Sequence, residues 1–164
     1  MTSLLDLGWR AAYRTAHRLL CCWWWLRRPA AEGAGVAVWC EGRLLVVKSS
    51  YRDTLDLPGG GVEPGETLAE AALRELREET GVEAELIGFV APVEAIERDR
   101  QGRVRLHIVI AAHAARWVSG EPQTGPEARD IRWVSEDEID SLPTTPGLPG
   151  LLRRAFALAR DSGA

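Results

Sequence analysis

At 164 residues, with 46% apolar and 27% charged side chains, the chain is long enough for one domain that buries about two-thirds of its unfolded surface. No apolar run reaches the roughly 18 residues a spanning helix needs, so no helical span is expected. The net charge of −4 is unevenly divided: residues 1–28 hold Arg10, Arg14, Arg18, Arg27 and Arg28 against Asp6, giving +4 and leaving −8 for the rest. So acidic a body argues against general nucleic-acid binding. Cys21, Cys22 and Cys40 form no C-x-x-C pair and read as reduced thiols of a cytoplasmic protein.

Residues 4–27 predict an amphipathic helix. Leu5, Trp9, Ala12, Ala16, Leu19, Trp23 and Leu26 recur at three- and four-residue steps, while Asp6, Arg10, Arg14 and Arg18 make the polar stripe. A secretory signal is disfavoured, because the apolar stretch is short, rich in tryptophan, followed by Arg27-Arg28 and without a small-x-small site. Residues 1–32 are therefore expected to be a basic, Trp-rich helical extension of a domain spanning 33–164. Its indoles are expected to pack on that domain or on a second copy in a homodimer. The alternative is peripheral membrane contact, with indoles and arginines at the headgroups.

Residues 35–40 and 44–48 predict two strands joined by the turn Glu41-Gly42-Arg43. In the polar loop that follows, Lys48, Tyr51 and Arg52 are candidate substrate-binding residues: a ring to stack on a base and two cations to meet phosphate oxygens. Ordinary surface residues are the equal alternative. Leu57-Pro58-Gly59-Gly60-Gly61 reads as a glycine-rich turn where main-chain groups come close to a ligand.

Pro64-Gly65 breaks the chain ahead of a helix whose apolar arc is Leu68, Ala69, Ala72, Leu73 and Leu76. Glu66 and Glu70 favour its positive N-terminal end, and Gly81 sits where a C-terminal cap belongs. Glu75, Glu78 and Glu79, at i, i+3 and i+4, fall toward one side. Carboxylates so close repel one another unless cations neutralise them, which asks for a hard divalent metal.

Strands are predicted at 83–97 and 103–115, joined by a turn at 99–102. A Gly/Pro-rich loop at 119–127, a short strand at 129–134, a helical turn at 136–139, a proline-rich stretch at 142–149 and a helix at about 150–160 complete the chain. This order predicts an α+β fold: a mixed sheet with the acidic helix on one face and the last helix on the other. His17, His107 and His113 have no partner at zinc spacing and read as ordinary packing or polar residues.

The stretch 60–82, GGVEPGETLAEAALRELREETGV, sets Gly60, Glu66, Arg74, Glu75, Leu76, Glu78, Glu79, Gly81 and Val82 in one frame. At every fixed position of that frame the chain resembles the Nudix hydrolases. The resemblance implies an α/β/α sandwich over 33 to about 160, and hydrolysis of a pyrophosphate bond in a nucleoside diphosphate-linked substrate with Mg²⁺ or Mn²⁺. It implies that Glu75 and Glu79 ligate metal and that Glu78 ligates it or acts through bound water. The Gly59 carbonyl would complete the shell, and Arg74 would hold a carboxylate in place. Glu66, Gly60 and Gly81 take structural roles. A further acid from outside the frame often assists in this family; Glu127 is the candidate, with Glu121 and Asp130 as rivals. From another class comes a non-catalytic Nudix-fold module that binds a nucleotide or a partner, but every carboxylate of the frame is present, which favours catalysis. The substrate stays open among ADP-ribose-like sugars, nucleoside triphosphates and dinucleoside polyphosphates.

Overall fold

In the computed structural model, which describes residues 32–50, 52–98, 101 and 104–163, β1 (Glu32–Cys40) lies at the centre of one mixed sheet. Its residues 34–38 are apolar without alternation save Gly35, as befits a strand buried on both faces. β6 (Val104–Ser119) runs parallel to it, from Glu32↔Val109 to Trp39↔Arg116. β5 (Glu83–Arg98) lies antiparallel outside β6. On the other side, β2 (Arg43–Ser49) joins the end of β1 and carries both β3 (Leu55–Asp56) and β7 (Ala128–Val134). The front half of β1 pairs instead with β4 (Gly59–Gly61), through Gly33↔Gly61 and Gly35↔Gly59.

Two helices cover the sheet. α1 (Leu68–Thr80) buries Ala71, Ala72 and Leu76 against Val36, Val38, Leu45 and Ala115. α2 (Leu148–Asp161) buries Leu152, Ala155 and Phe156 against Ala37, Leu44, Val46 and Ala112 on the opposite face. Phe156 meets Trp39 edge-on at 5.5 Å between ring centroids. A 3-10 helix, Glu136–Ser141, adds Ile139 to the second core. The α+β sandwich expected from the order of elements is the architecture observed.

Some boundaries differ from the sequence reading. The glycine run was expected to be a turn, yet Gly59–Gly61 is a strand, because pairing with β1 satisfies its backbone groups. That pairing is close: a Cβ on Gly59 would fall against the Ala34 carbonyl and the Gly35 Cα. Gly59→Ala is therefore expected to cost about 2–3 kcal/mol of stability by overpacking against main chain, measurable by urea denaturation. β6 continues past 115 to Ser119, held by its pairing with β5 down to Glu83. α2 begins two residues early, at Leu148, since a proline in its first turn is tolerated.

The predicted N-terminal helix, Tyr51 and most of the turn at 99–102 lie outside the described residues. So does the side chain of His107. Among the described residues no helix is long and apolar enough to cross a membrane.

Candidate active site

α1 starts at a capping box. Thr67 Oγ1 accepts from the Glu70 N–H at 3.2 Å, and Glu70 Oε2 accepts from the Thr67 N–H at 2.8 Å. The helix ends at Gly81, whose φ of 73° is the left-handed cap and whose N–H donates to the Arg77 carbonyl. These caps fix the helical register, and the buried face of Ala71, Ala72 and Leu76 then turns Glu75 and Glu79 toward β4.

Arg74 organises the cluster. Its Nε and Nη2 donate to the two oxygens of Glu66 at 2.9 and 3.1 Å, its Nη2 to the Gly61 carbonyl at 2.8 Å and its Nη1 to Glu75 at 2.9 Å. Nη1 also reaches Glu78 Oε2 at 3.3 Å. Glu66 in turn accepts from the Glu63 N–H, tying the loop down. The bonds from Arg74, then that from Glu63, hold the Glu66 carboxyl below its usual range. A planar fork serving three carboxylates and a carbonyl is a task no lysine can match.

Glu75 is packed so tightly on β4 that a Cβ on Gly60 would overlap its carboxylate. Gly60→Ala must displace Glu75, and a turnover loss of about 10²-fold with the fold retained is expected from steady-state kinetics and circular dichroism. Glu79 Oε2 accepts from the Gly59 N–H at 3.1 Å. Glu78, by contrast, is 60% exposed, against 16% for Glu75.

Burial raises the Glu75 carboxyl above its usual value, against the pull of Arg74, and the charges of Glu78 and Glu127 raise it further. Glu79 is pushed up to about 7, first by burial and then by the charges of Glu75, Glu127 and Asp56, with the Gly59 N–H opposing. The folded state thus binds the Glu79 proton more tightly than the unfolded chain does. Stability from this group is complete below about pH 4.5 and is lost as pH rises through about 7. The metal-free protein should therefore show a thermal midpoint that falls by roughly 4–8 °C between about pH 5 and pH 8, read by calorimetry.

Of the three candidate acids outside the frame, Glu127 is the one whose charge acts on both Glu75 and Glu79. Its side chain is exposed, and its carbonyl accepts from the Ser50 N–H at 2.9 Å. Asp130 is instead engaged by Arg132 at 2.8 Å, and Glu121 lies beside Gly81 through its backbone. Lys48 pairs with Asp53 at 3.4 Å, and Arg52 with Asp56 at 3.7 Å. Tyr51 lies outside the described residues.

Asp56 is a group the sequence reading passed over. Its carboxylate accepts from the Leu57 N–H at 2.9 Å and from Thr145 Oγ1 at 3.1 Å, and burial raises it above its usual value. It stands between apolar Leu55 and Leu57, an alternation that sets the acid on the opposite face of the strand from them and by itself reads as a solvent-facing polar residue. His113 is buried with Nδ1 unpartnered, its ring edge-on to Phe89 at 5.7 Å, and no bond joins it to the acids. Among the described residues no three His, Cys, Asp or Glu side chains converge as a finished metal cage.

A sandwich that lays an acid-edged helix on a glycine strand defines a class of domain that brings carboxylates to a main-chain edge. The model of the NUDIX domain matches residues 29–155, and the chain belongs to the Nudix family. As a family these proteins use divalent cations and small nucleotide-linked molecules. Over 106 residues the chain is 27% identical to an ADP-ribose pyrophosphatase of Methanocaldococcus jannaschii, covering 63% of this chain and 59% of that one. It is 50% identical over 109 residues to a putative 8-oxo-dGTP diphosphatase of Bacillus subtilis, covering 66% and 68%. The crystal structure of a MutT Nudix hydrolase from Burkholderia pseudomallei superposes with a TM-score of 0.66 at 26% identity, covering 77% of this chain and 98% of that one. The chain spans about three fifths of the length of the first curated relatives it matches.

Proposed function

We propose that the chain is a divalent-metal-dependent hydrolase that splits a pyrophosphate bond in a nucleoside diphosphate-linked substrate. The observation that carries this reading is the pair Glu75 and Glu79, both drawn up by burial and by the charges of neighbouring acids, Glu127 among them, on a helix locked to the glycine strand. Groups held so are poised to exchange protons for a cation. Mg²⁺ or Mn²⁺ fits the donor set, since such ions take one or two carboxylates, waters and substrate oxygens in place of an all-protein cage. When bound, the ion neutralises the diphosphate and lowers the pKa of its water.

Glu75 and Glu79 are the ligands in this reading, with the Gly59 carbonyl beside them and Glu78, solvent-exposed, as a ligand or an acid acting through water. Arg74 orients Glu75. Glu127 contributes as the outlying acid, and Lys48 and Arg52, with Tyr51, face the substrate's phosphates and base. The catalytic module is taken as 33–164, with 1–32 an extension whose contact, with a second copy or a membrane surface, belongs to that segment.

A phosphate-release assay across a nucleotide panel, with coupled phosphatase and with and without Mg²⁺, tests the proposal. Turnover of at least one diphosphate-linked compound only with metal is expected. Binding without turnover across the panel would instead favour a non-catalytic nucleotide-binding module.

A further inference from the structure

We propose that Lys48 and Arg129 form an anion seat that Asp53 fills in the free protein and that a third phosphate of the substrate takes over. The inference rests on the pyrophosphate-hydrolase reading and adds to it a substrate class: compounds with three or more linked phosphates, preferred over diphosphate-linked sugars.

Asp53 Oδ1 lies 3.4 Å from Lys48 Nζ and 3.3 Å from Arg129 Nη2, so one carboxylate oxygen bridges two cations. Yet the Asp53 side chain is 95% exposed, held by charge and not by packing. Exposed ion pairs of this kind are weak and are screened by salt. A phosphate group brings up to two charges and three acceptor oxygens to the same donors, and so competes with the carboxylate on favourable terms.

The seat shares its scaffold with the acids. Arg129 stands on β7, whose pairing with β2 sets Lys48 opposite Asp130 and Ser49 opposite Ala128. The Ser50 N–H and Oγ hold the carbonyls of Glu127 and Pro126, fixing the loop that carries the outlying acid. Arg129 Nη2 also donates to the Arg52 carbonyl at 3.3 Å, and Arg52 pairs with Asp56, whose charge acts on Glu79. The Glu127 loop and the Arg52–Asp56 pair therefore link these cations to the carboxylates through a chain of contacts. A diphosphate engages the acidic side through metal, and a longer phosphate chain extends onto the cations.

Calorimetric titration of the full chain with inorganic tripolyphosphate and with pyrophosphate, both in Mg²⁺, tests this directly. The wild type should bind tripolyphosphate about 10-fold more tightly than pyrophosphate. Arg129→Gln should shrink that preference to about 3-fold or less, whereas Asp53→Asn should tighten tripolyphosphate binding by roughly 3- to 10-fold, because the competing carboxylate is gone. A merely structural Asp53 would give the opposite sign on substitution. Equal affinity for the two anions in the wild type, or looser binding by Asp53→Asn, overturns the proposal. Binding needs no turnover, so a silent nucleotide panel would remove the catalytic reading while leaving this preference to stand or fall on its own.

Discussion

Glu79→Gln should lower metal-dependent turnover by on the order of 10³-fold and at the same time stabilise the metal-free protein at neutral pH. The amide keeps an oxygen to accept from the Gly59 N–H, so the docking of α1 on β4 survives. What disappears is a buried negative charge set against Glu75, Glu127 and Asp56. Carrying that charge at neutral pH, when the carboxyl has been pushed from 4.5 to about 7, costs up to about 3 kcal/mol. Relief should therefore raise the thermal midpoint by several degrees at about pH 8 and by little at about pH 5. Such opposition of stability and activity is the mark of a group kept for function. A variant that loses both stability and activity would show that Glu79 is a structural acid.

Arg74→Ala is expected to have the larger effect on the fold. It strips partners from Glu66, which is 14% exposed, and from Glu75, 16% exposed, and leaves the Gly61 carbonyl without its donor. Breaking such a partly buried network should cost roughly 2–4 kcal/mol, seen as a lower denaturation midpoint. Turnover should fall about 10²-fold beyond any loss of folded protein, because Glu75 is no longer oriented. Arg74→Lys is expected to recover little of either, since one ammonium cannot serve Glu66, Glu75 and Gly61 together. Full rescue by lysine would mean that charge alone matters here and that the fork geometry does not.

The acidic helix was legible in the sequence because its causes are local: an apolar arc at helical spacing, three carboxylates beside it and a glycine at its end. Its start was signalled only coarsely, by Pro64-Gly65 with Glu66 and Glu70; the Thr67–Glu70 capping box sets the boundary at Thr67. β4 was harder. Three glycines carry no side-chain periodicity, and Gly59–Gly61 becomes a strand only through its partner in β1. The fit of Glu75 over Gly60 likewise depends on how two elements dock. Asp56 is bonded to Thr145, and Asp53 to Arg129, across 89 and 76 residues of sequence. Pairings that distant are set by the sheet's topology, which spacing along the chain does not encode.

The most direct measurement is a Mn²⁺ titration of the full chain, with the free ion followed by electron paramagnetic resonance. The wild type should take up Mn²⁺ saturably near neutral pH and release protons as it does so. Glu75→Gln/Glu79→Gln, folded by circular dichroism, should leave the ion free. Equal uptake by the double variant would place the metal elsewhere and contradict the site built here from α1 and β4.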